Sequence, residues 1–355
     1  MRAFVTGGSG LIGSNLVREL LAGGFEVRAL TRGTNAPATL RGLDLELVTG
    51  DVLDAPQTLA NLIKGCDWLF HTAAHFNYRN DDMLDATAIT GTRHVIEAAE
   101  SAGIGRIVVT SSSVVFGSCA TAAVRTECDK PSTDFAEPRY VISKIRQDKL
   151  AQELGRERGL EIVFVCPTMT VGPHSATLGP SNGIIVSYLN DPLRLTYPGG
   201  CNITSARDVA RGHVLAASQG IAGEHYILGS ANLSWFEIHS LVADLCGVER
   251  PQIQINHTLA FSAAAFEELQ AQIQRRAPLV TREQARMTGR YYWYSSDRAI
   301  RRLGYKPRSA RMALAEACGW LAASPHISRE IRATMLLSKE VYRAGRGEEV
   351  ADEAL

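Results

Sequence analysis

Eight residues near the start of the chain, Thr6-Gly7-Gly8-Ser9-Gly10-Leu11-Ile12-Gly13, constrain its fold more than any other stretch. They follow a short apolar run, Arg2-Ala3-Phe4-Val5-Thr6, that reads as a buried strand. They precede a segment in which Ile12, Leu16, Leu20 and Leu21 recur at helical spacing, closed by Gly23-Gly24. A strand, a glycine turn and a helix open a βαβ unit. A dinucleotide pyrophosphate needs backbone N–H groups at a helix N-terminus, and glycines where the backbone must approach it closely. Gly7, Gly10 and Gly13 have that spacing, and Leu11 and Ile12 begin the helix. A glycine turn between strand and helix can also be merely structural; this context points to cofactor binding.

Strand and helix signals then alternate. Residues 26–32, 45–50, 68–72, 106–111 and 161–166 read as strands, and helices are predicted around 91–102 and from 140 to about 157. This pattern predicts an α/β chain with a Rossmann-type, doubly wound parallel sheet, covered on both faces and joined by right-handed crossovers. After Pro167, prolines and glycines interrupt residues 171–200, with one helix expected near 184–189. Residues 208–218 and 235–246 read as helices and 225–228 as a strand. The expected division is a binding domain over 1–170 plus about 205–228, and a smaller mixed substrate domain over 171–204 and 229–323. A helical tail over 324–355 should fray at its acidic end.

Two further features carry chemistry. Tyr140 and Lys144, four apart, share one face of the long predicted helix. An ammonium beside a phenol favours phenolate, which suits Tyr140 to proton transfer near neutral pH. Alone, such a pair is more often two solvated side chains. Thr110-Ser111-Ser112-Ser113 ends the fifth predicted strand. Ligands of open α/β sheets sit outside the carboxyl ends of strands, so a hydroxyl here can hold a substrate oxygen.

In this order and spacing the three features resemble the short-chain dehydrogenases/reductases in their extended form, over roughly residues 1–323. Gly50-Asp51-Val52 is similar to that family's adenine-contacting turn, and His71-Thr72-Ala73-Ala74 to its H-x-A-A segment. Residues 167–173, from Pro167 to Pro173, resemble its P-x-x-x-x-G-P, and Leu303-Gly304-Tyr305-Lys306-Pro307 a motif near its end. Val114-Val115-Phe116-Gly117 resembles the segment after the catalytic serine, which favours Ser112 over Ser113. Gly179–Gly183 and Gly223–Gly229 look closest to the dihydroflavonol-reductase-like and hopanoid-associated epimerase-like groups. The resemblance implies a cofactor site of Gly7, Gly10, Leu11, Ile12, Gly13, Arg32, Asp51, Val52, Ala73, Ala74, Tyr140, Lys144 and Pro167. It implies Ser112, Tyr140 and Lys144 as catalytic residues, with Lys144 on the nicotinamide ribose. Extended members usually carry an Asn where this chain has Ala88, so Thr87 or Thr90 takes its place or the role is absent. Sugar-nucleotide members usually carry an Arg where this chain has Cys201.

The second predicted strand ends Leu30-Thr31-Arg32, with no acid before Asp44. A carboxylate there would repel a 2′-phosphate, whereas a guanidinium pairs with one, which favours NADP(H) while leaving NAD(H) possible. The expected activity is reduction of a ketone or aldehyde, or oxidation of an alcohol, by a Ser-Tyr-Lys mechanism. The alternatives are a nucleotide-sugar epimerase or dehydratase with retained NAD⁺, and a non-catalytic NADP-sensing protein. His75, Phe76, Tyr78, Ser113, Phe116, Met169 and Tyr188 are candidates to line the pocket of a small-molecule substrate.

Composition narrows the rest. The 37 basic side chains balance 37 acidic ones, which gives no electrostatic footprint for nucleic acid. Seven scattered cysteines with no C-x-x-C pair indicate neither a metal site nor a disulfide framework. No apolar stretch approaches the ~20 residues of a membrane span, and a cytoplasmic location is expected. A homodimer is expected through the helices that begin near Ala86 and Tyr140. The face of Val95, Ala98, Ala99 and Ala102 suits either that contact or packing on the sheet.

Overall fold

The computed structural model describes residues 1–74, 81–131, 137–274, 278 and 282–346. Its larger sheet has seven parallel strands: β1 (Arg2–Thr6), β2 (Glu26–Thr31), β3 (Glu46–Thr49), β4 (Trp68–His71), β5 (Arg106–Thr110), β6 (Ile162–Pro167) and a late strand, β10 (His225–Leu228). Their order in space is β10-β6-β5-β4-β1-β2-β3. The chain winds outward in both directions from the neighbours β1 and β4, so a crevice opens beyond their carboxyl ends.

Alternation along the strands sets the two covered faces. Ala3 and Val5 point into one apolar cluster and Phe4 into the other. Val108, Val163 and Val165 follow Ala3, whereas Ile107, Val109, Ile162 and Phe164 follow Phe4. Strands buried on both faces read as continuous apolar runs, which is why they were visible in the sequence. Helices α1 (Leu11–Ala22) and α7 (Ala206–Gln219) cover the first face through Leu16, Leu20, Val209 and Ala216. The second face is covered by α2 (Pro56–Ile63), α4 (Thr92–Ser101) and α5 (Arg139–Arg158). Val95, Ala98 and Ala99 are buried there, so the face considered for a dimer contact packs on the chain's own sheet.

The helix predicted from about residue 91 has a longer approach. A short α3 (Asp81–Asp85) leads into a π-helical segment, Ala86–Gly91, and then into α4. Gly91 sits against the turn after β3, where a Cβ would lie 2.9 Å from Val52 Cγ2. The short α2, led by Pro56 at its first turn, was not foreseen.

The remaining elements gather on a second sheet. Its central strand, β9 (Gly200–Ser205), pairs antiparallel with β11 (Ala231–Ser234) and parallel with β7 (Met169–Val171) and β13 (Tyr291–Tyr292). A small pair, β8 (Leu195–Thr196) and β12 (Ile253–Gln254), lies apart from it. Around these stand α6 (Pro180–Asn190), α8 (Trp235–Cys246), α9 (His257–Ile273), α10 (Arg282–Arg286) and α12 (Ala310–Ala322), whereas α11 (Asp297–Leu303) buries Ala299 and Leu303 in the first core beside α7. The predicted bounds of α8 agree with its structure, because Ser234 and Glu237 form a capping box and Gly247 ends it at φ 64°. Within the expected tail are α13 (Arg329–Thr334) and α14 (Lys339–Gly345), and Val341 of α14 is buried in the second core against α12. The acidic end lies outside the described residues.

One polar cluster joins the two parts. Arg308 donates to Asp208 at the start of α7 (Nε to Oδ1, 3.0 Å), to Glu316 on α12 (2.7 Å) and to Ser205 at the end of β9 (3.0 Å). Among the described residues, no helix is long and apolar enough to cross a membrane.

Candidate active site

The glycine turn lies where β1 meets α1, beside the crevice. Gly10 N–H donates to the Gly7 carbonyl at 3.0 Å, and Gly7 takes φ 70°. A Cβ on Gly7 would lie 2.7 Å from the Ala73 backbone, and one on Gly13 only 2.2 Å from the Gly7 carbonyl oxygen. Gly7 and Gly13 therefore let turn, helix and the end of β4 pack together. Gly10 caps α1 with no side-chain hydrogen bond, so no side-chain cap serves the first N–H groups at Leu11, Ile12 and Gly13. That combination fits a pyrophosphate held by backbone donors. Gly13→Ala is expected to lower stability by roughly 1–3 kcal/mol through overpacking, read as a lower urea midpoint.

The other positions expected to contact a cofactor lie at or just after the carboxyl ends of strands of the same sheet. Asp51 and Val52 form the turn after β3, and the Asp51 carboxylate accepts from the Leu53 N–H at 3.0 Å. Arg32 is exposed directly after β2. Pro167 ends β6, paired with Leu228.

Ser112, Tyr140 and Lys144 come together beyond β5. Ser112 is buried and caps a short 3-10 turn, Ser113–Phe116. Its hydroxyl hydrogen-bonds the Tyr140 phenol. Burial pushes that phenol above its ordinary range, and the Ser112 hydrogen bond pulls it back. The hydroxyl of Ser112, rather than the ammonium of Lys144, is the neighbour that favours phenolate in this structure. Lys144 is buried, and its Nζ donates to the Thr110 carbonyl (3.2 Å) and to Gln147 Oε1 (2.8 Å). Desolvation drives its pKa down to about 8 against the attraction of the Asp148 carboxylate. Tyr140 and Lys144 line one cavity with Ala73, Ala74, Ala88 and Gln147. A phenol and a buried ammonium on one cavity, with the Ser112 hydroxyl bonded to the phenol, can hold an oxygen atom and move a proton to or from it.

The substrate candidates divide. Ser113 hydrogen-bonds Tyr294, whose hydroxyl donates to the Gly117 carbonyl at 2.8 Å, so the region of β13 folds over the 3-10 turn. Phe116 and Met169 are packed in the apolar cluster beneath it. Tyr188 is core: it stacks on His239 at 4.5 Å and its hydroxyl donates to the Glu249 carbonyl at 2.7 Å. His75, Phe76 and Tyr78 lie outside the described residues. Two polar groups were missed. Glu137, just before α5, keeps both carboxyl oxygens buried without a hydrogen-bond partner among the described residues, and burial pushes its pKa up. Gln147 stands one turn beyond Lys144, a spacing that would have placed it on the same helix face.

Comparisons with known proteins show the family and the fold. A model of the NAD dependent epimerase/dehydratase family matches residues 3–229. A Synechocystis sp. protein provisionally named dihydroflavonol 4-reductase is 32% identical, over 89% of this chain and 93% of that one. Sterol demethylase protein B of Methylococcus capsulatus is 30% identical, over 90% and 98%. The crystal structure of gox2253 superposes with a TM-score of 0.80 at 31% identity, over 92% of this chain and 99% of that one.

Proposed function

The chain belongs to the NAD dependent epimerase/dehydratase family, and we propose that within it this chain is an NADP(H)-dependent oxidoreductase acting on the carbonyl or carbinol carbon of a small molecule. The observation that carries this reading is the meeting of Ser112, Tyr140 and Lys144 beyond β5, beside an uncapped glycine turn.

The glycine turn would hold the pyrophosphate, the Asp51-Val52 turn the adenine, and Ala73, Ala74, Pro167, Tyr140 and Lys144 the rest of the cofactor. A bound nicotinamide supplies hydride in reduction and receives it in oxidation. Tyr140 gives its phenolic proton to the substrate oxygen as a carbonyl becomes an alcohol, and removes that proton in the reverse direction. Ser112 holds the same oxygen by a hydrogen bond. Lys144 places its charge near Tyr140 and the ribose.

Arg32 supports NADP(H). Its guanidinium is exposed at the strand end, where it can pair with a 2′-phosphate and cannot repel one. Arg32→Asp is expected to weaken NADPH binding by roughly 10–100-fold and to reverse the preference over NADH, because a carboxylate repels phosphate and accepts from a ribose hydroxyl. Fluorescence titration with both nucleotides checks this; wild-type protein that binds NADH as well as NADPH would remove the assignment.

A nucleotide-sugar epimerase or dehydratase is the rival reading, and the family description is what favours it. Position 201, where such members usually offer an Arg to a diphosphate, is a buried cysteine 3.5 Å from the Met169 sulfur. Retained NAD⁺ in purified protein would favour the rival.

A further inference from the structure

We propose that Gln147 is a positioning residue for Lys144, fixing its ammonium at the edge of the cavity through a buried polar line that ends at the glycine turn. The line is continuous. Lys144 Nζ donates to Gln147 Oε1 at 2.8 Å, and Gln147 Nε2 donates to Thr92 Oγ1 at 2.9 Å. Thr92 Oγ1 lies 2.9 Å from His71 Nε2, and His71 Nδ1 lies 2.9 Å from Thr6 Oγ1. Thr6 Oγ1 accepts from the Ala73 N–H at 3.2 Å, and Gly7 follows Thr6 in the chain. Every side chain along it is buried.

The two ends fix how the amide sits. An ammonium only donates, so it faces the amide oxygen, and the amide nitrogen is left to donate to Thr92. The line thus connects α5 to α4, β4 and β1 with each amide group in one role. Ala88 lines the same cavity with only a methyl group, at the position where the family resemblance leads one to expect an amide. Gln147 reaches that cavity from α5 instead.

Nothing else nearby takes over the contact. Asp148, also on α5, attracts the ammonium, but its carboxylate oxygens accept from Ser111 (2.5 Å), Gln152 (2.5 Å) and His225 (3.0 Å). Cys166 on β6 faces it as a thiol whose pKa burial raises. His71 on β4 stays neutral, since burial drives its pKa down to about 3. Tyr140 shares the helix, and the Thr110 carbonyl on β5 accepts at the longer 3.2 Å. Gln147 is then the only side chain among the described residues that gives Lys144 a short acceptor.

This inference deepens the functional reading, which assigns Lys144 to the cofactor, but its test does not need that reading. The full chain has six lysines, so protein labelled with ¹³C at lysine Cε gives a countable spectrum. Lys144 is assigned from the signal missing in Lys144→Arg. Without nucleotide, wild-type Lys144 should titrate near pH 8. Gln147→Met keeps the volume and removes the acceptor; its midpoint should fall by about 1–2 pH units. Gln147→Glu places a carboxylate there, and its midpoint should rise. One midpoint shared by all three proteins overturns the proposal, whatever their turnover. The matching functional arm is NADPH affinity at pH 7.5, lowered in Gln147→Met and kept in Gln147→Glu. If Tyr140→Phe retained turnover while the midpoints moved as stated, the functional reading would fall and this inference would stand.

Discussion

Tyr140→Phe is expected to keep the fold and the cofactor affinity while turnover falls by about 10²–10⁴-fold, the ordinary worth of a positioned acid–base group. The change deletes one oxygen and almost no volume, and the ring stays against the same neighbours. Lys144→Met should differ, weakening cofactor binding as well as turnover. Ser112→Ala should lower turnover and spare cofactor affinity. It should also move the pH dependence of alcohol oxidation. The Ser112 hydrogen bond favours phenolate, so its loss raises the Tyr140 pKa further and shifts the rise in rate to higher pH. Cofactor affinity measured beside single-turnover rate separates the three variants. Near-normal turnover in Tyr140→Phe would leave the mechanism without its acid.

The second large effect concerns stability. Arg308→Met should lower the unfolding free energy by about 3–5 kcal/mol, the range for breaking a buried ion pair from one side. The Asp208 side chain is fully buried and that of Glu316 is 5% exposed, so neither carboxylate gains water when the guanidinium goes. Ser205, which donates to Glu316 at 2.8 Å, cannot neutralise a charge; Arg207, 3.4 Å from Glu316, still pairs with that carboxylate, so the loss falls mainly on Asp208. A native protein is stable by only ~5–15 kcal/mol, so the thermal midpoint should drop clearly. The paired control is a variant that removes all three charges, Arg308→Met with Asp208→Asn and Glu316→Gln. It should recover part of the loss, because it leaves no buried charge unpaired. A drop below about 1 kcal/mol in the single variant would show that the cluster is solvated well enough to stand without its cation.

The features that were legible in the sequence are those set by neighbours along the chain. The glycine turn, the Tyr140–Lys144 spacing and the bounds of α8 depend on local periodicity, caps and glycine stops. The features that were not legible depend on what a residue meets across the fold. Tyr188 has the side chain of a pocket residue, yet its partner His239 is far along the chain. Gln147 reads as one more polar residue on a helix until Thr92 and His71 arrive beside it. Gly91, the last residue of the π-helical segment, has no room for a side chain because Val52, far along the chain, packs against it. Ser112 could be chosen from a run of serines only through the resemblance of the segment after it, and its contact with Tyr140 needed the structure.

The late arrival of β10 has a consequence for how the chain is made. A ribosome delivers β1 to β6 first, then β7 and β9, and only afterwards α7 and β10, which complete the cover and the edge of the first sheet. Until residue 228 has emerged, β6 presents an open row of N–H and C=O groups, and the face later covered by α7 exposes Val163 and Val165. Over the same interval β9 still lacks β11 and β13, the latter arriving only at residue 291. Once residue 228 has emerged the first sheet has all its strands, while the second still waits for β11 and β13, so the first can close ahead of the second. The exposed β6 edge is where a chaperone would be needed, and where a neighbouring nascent chain could pair in its place.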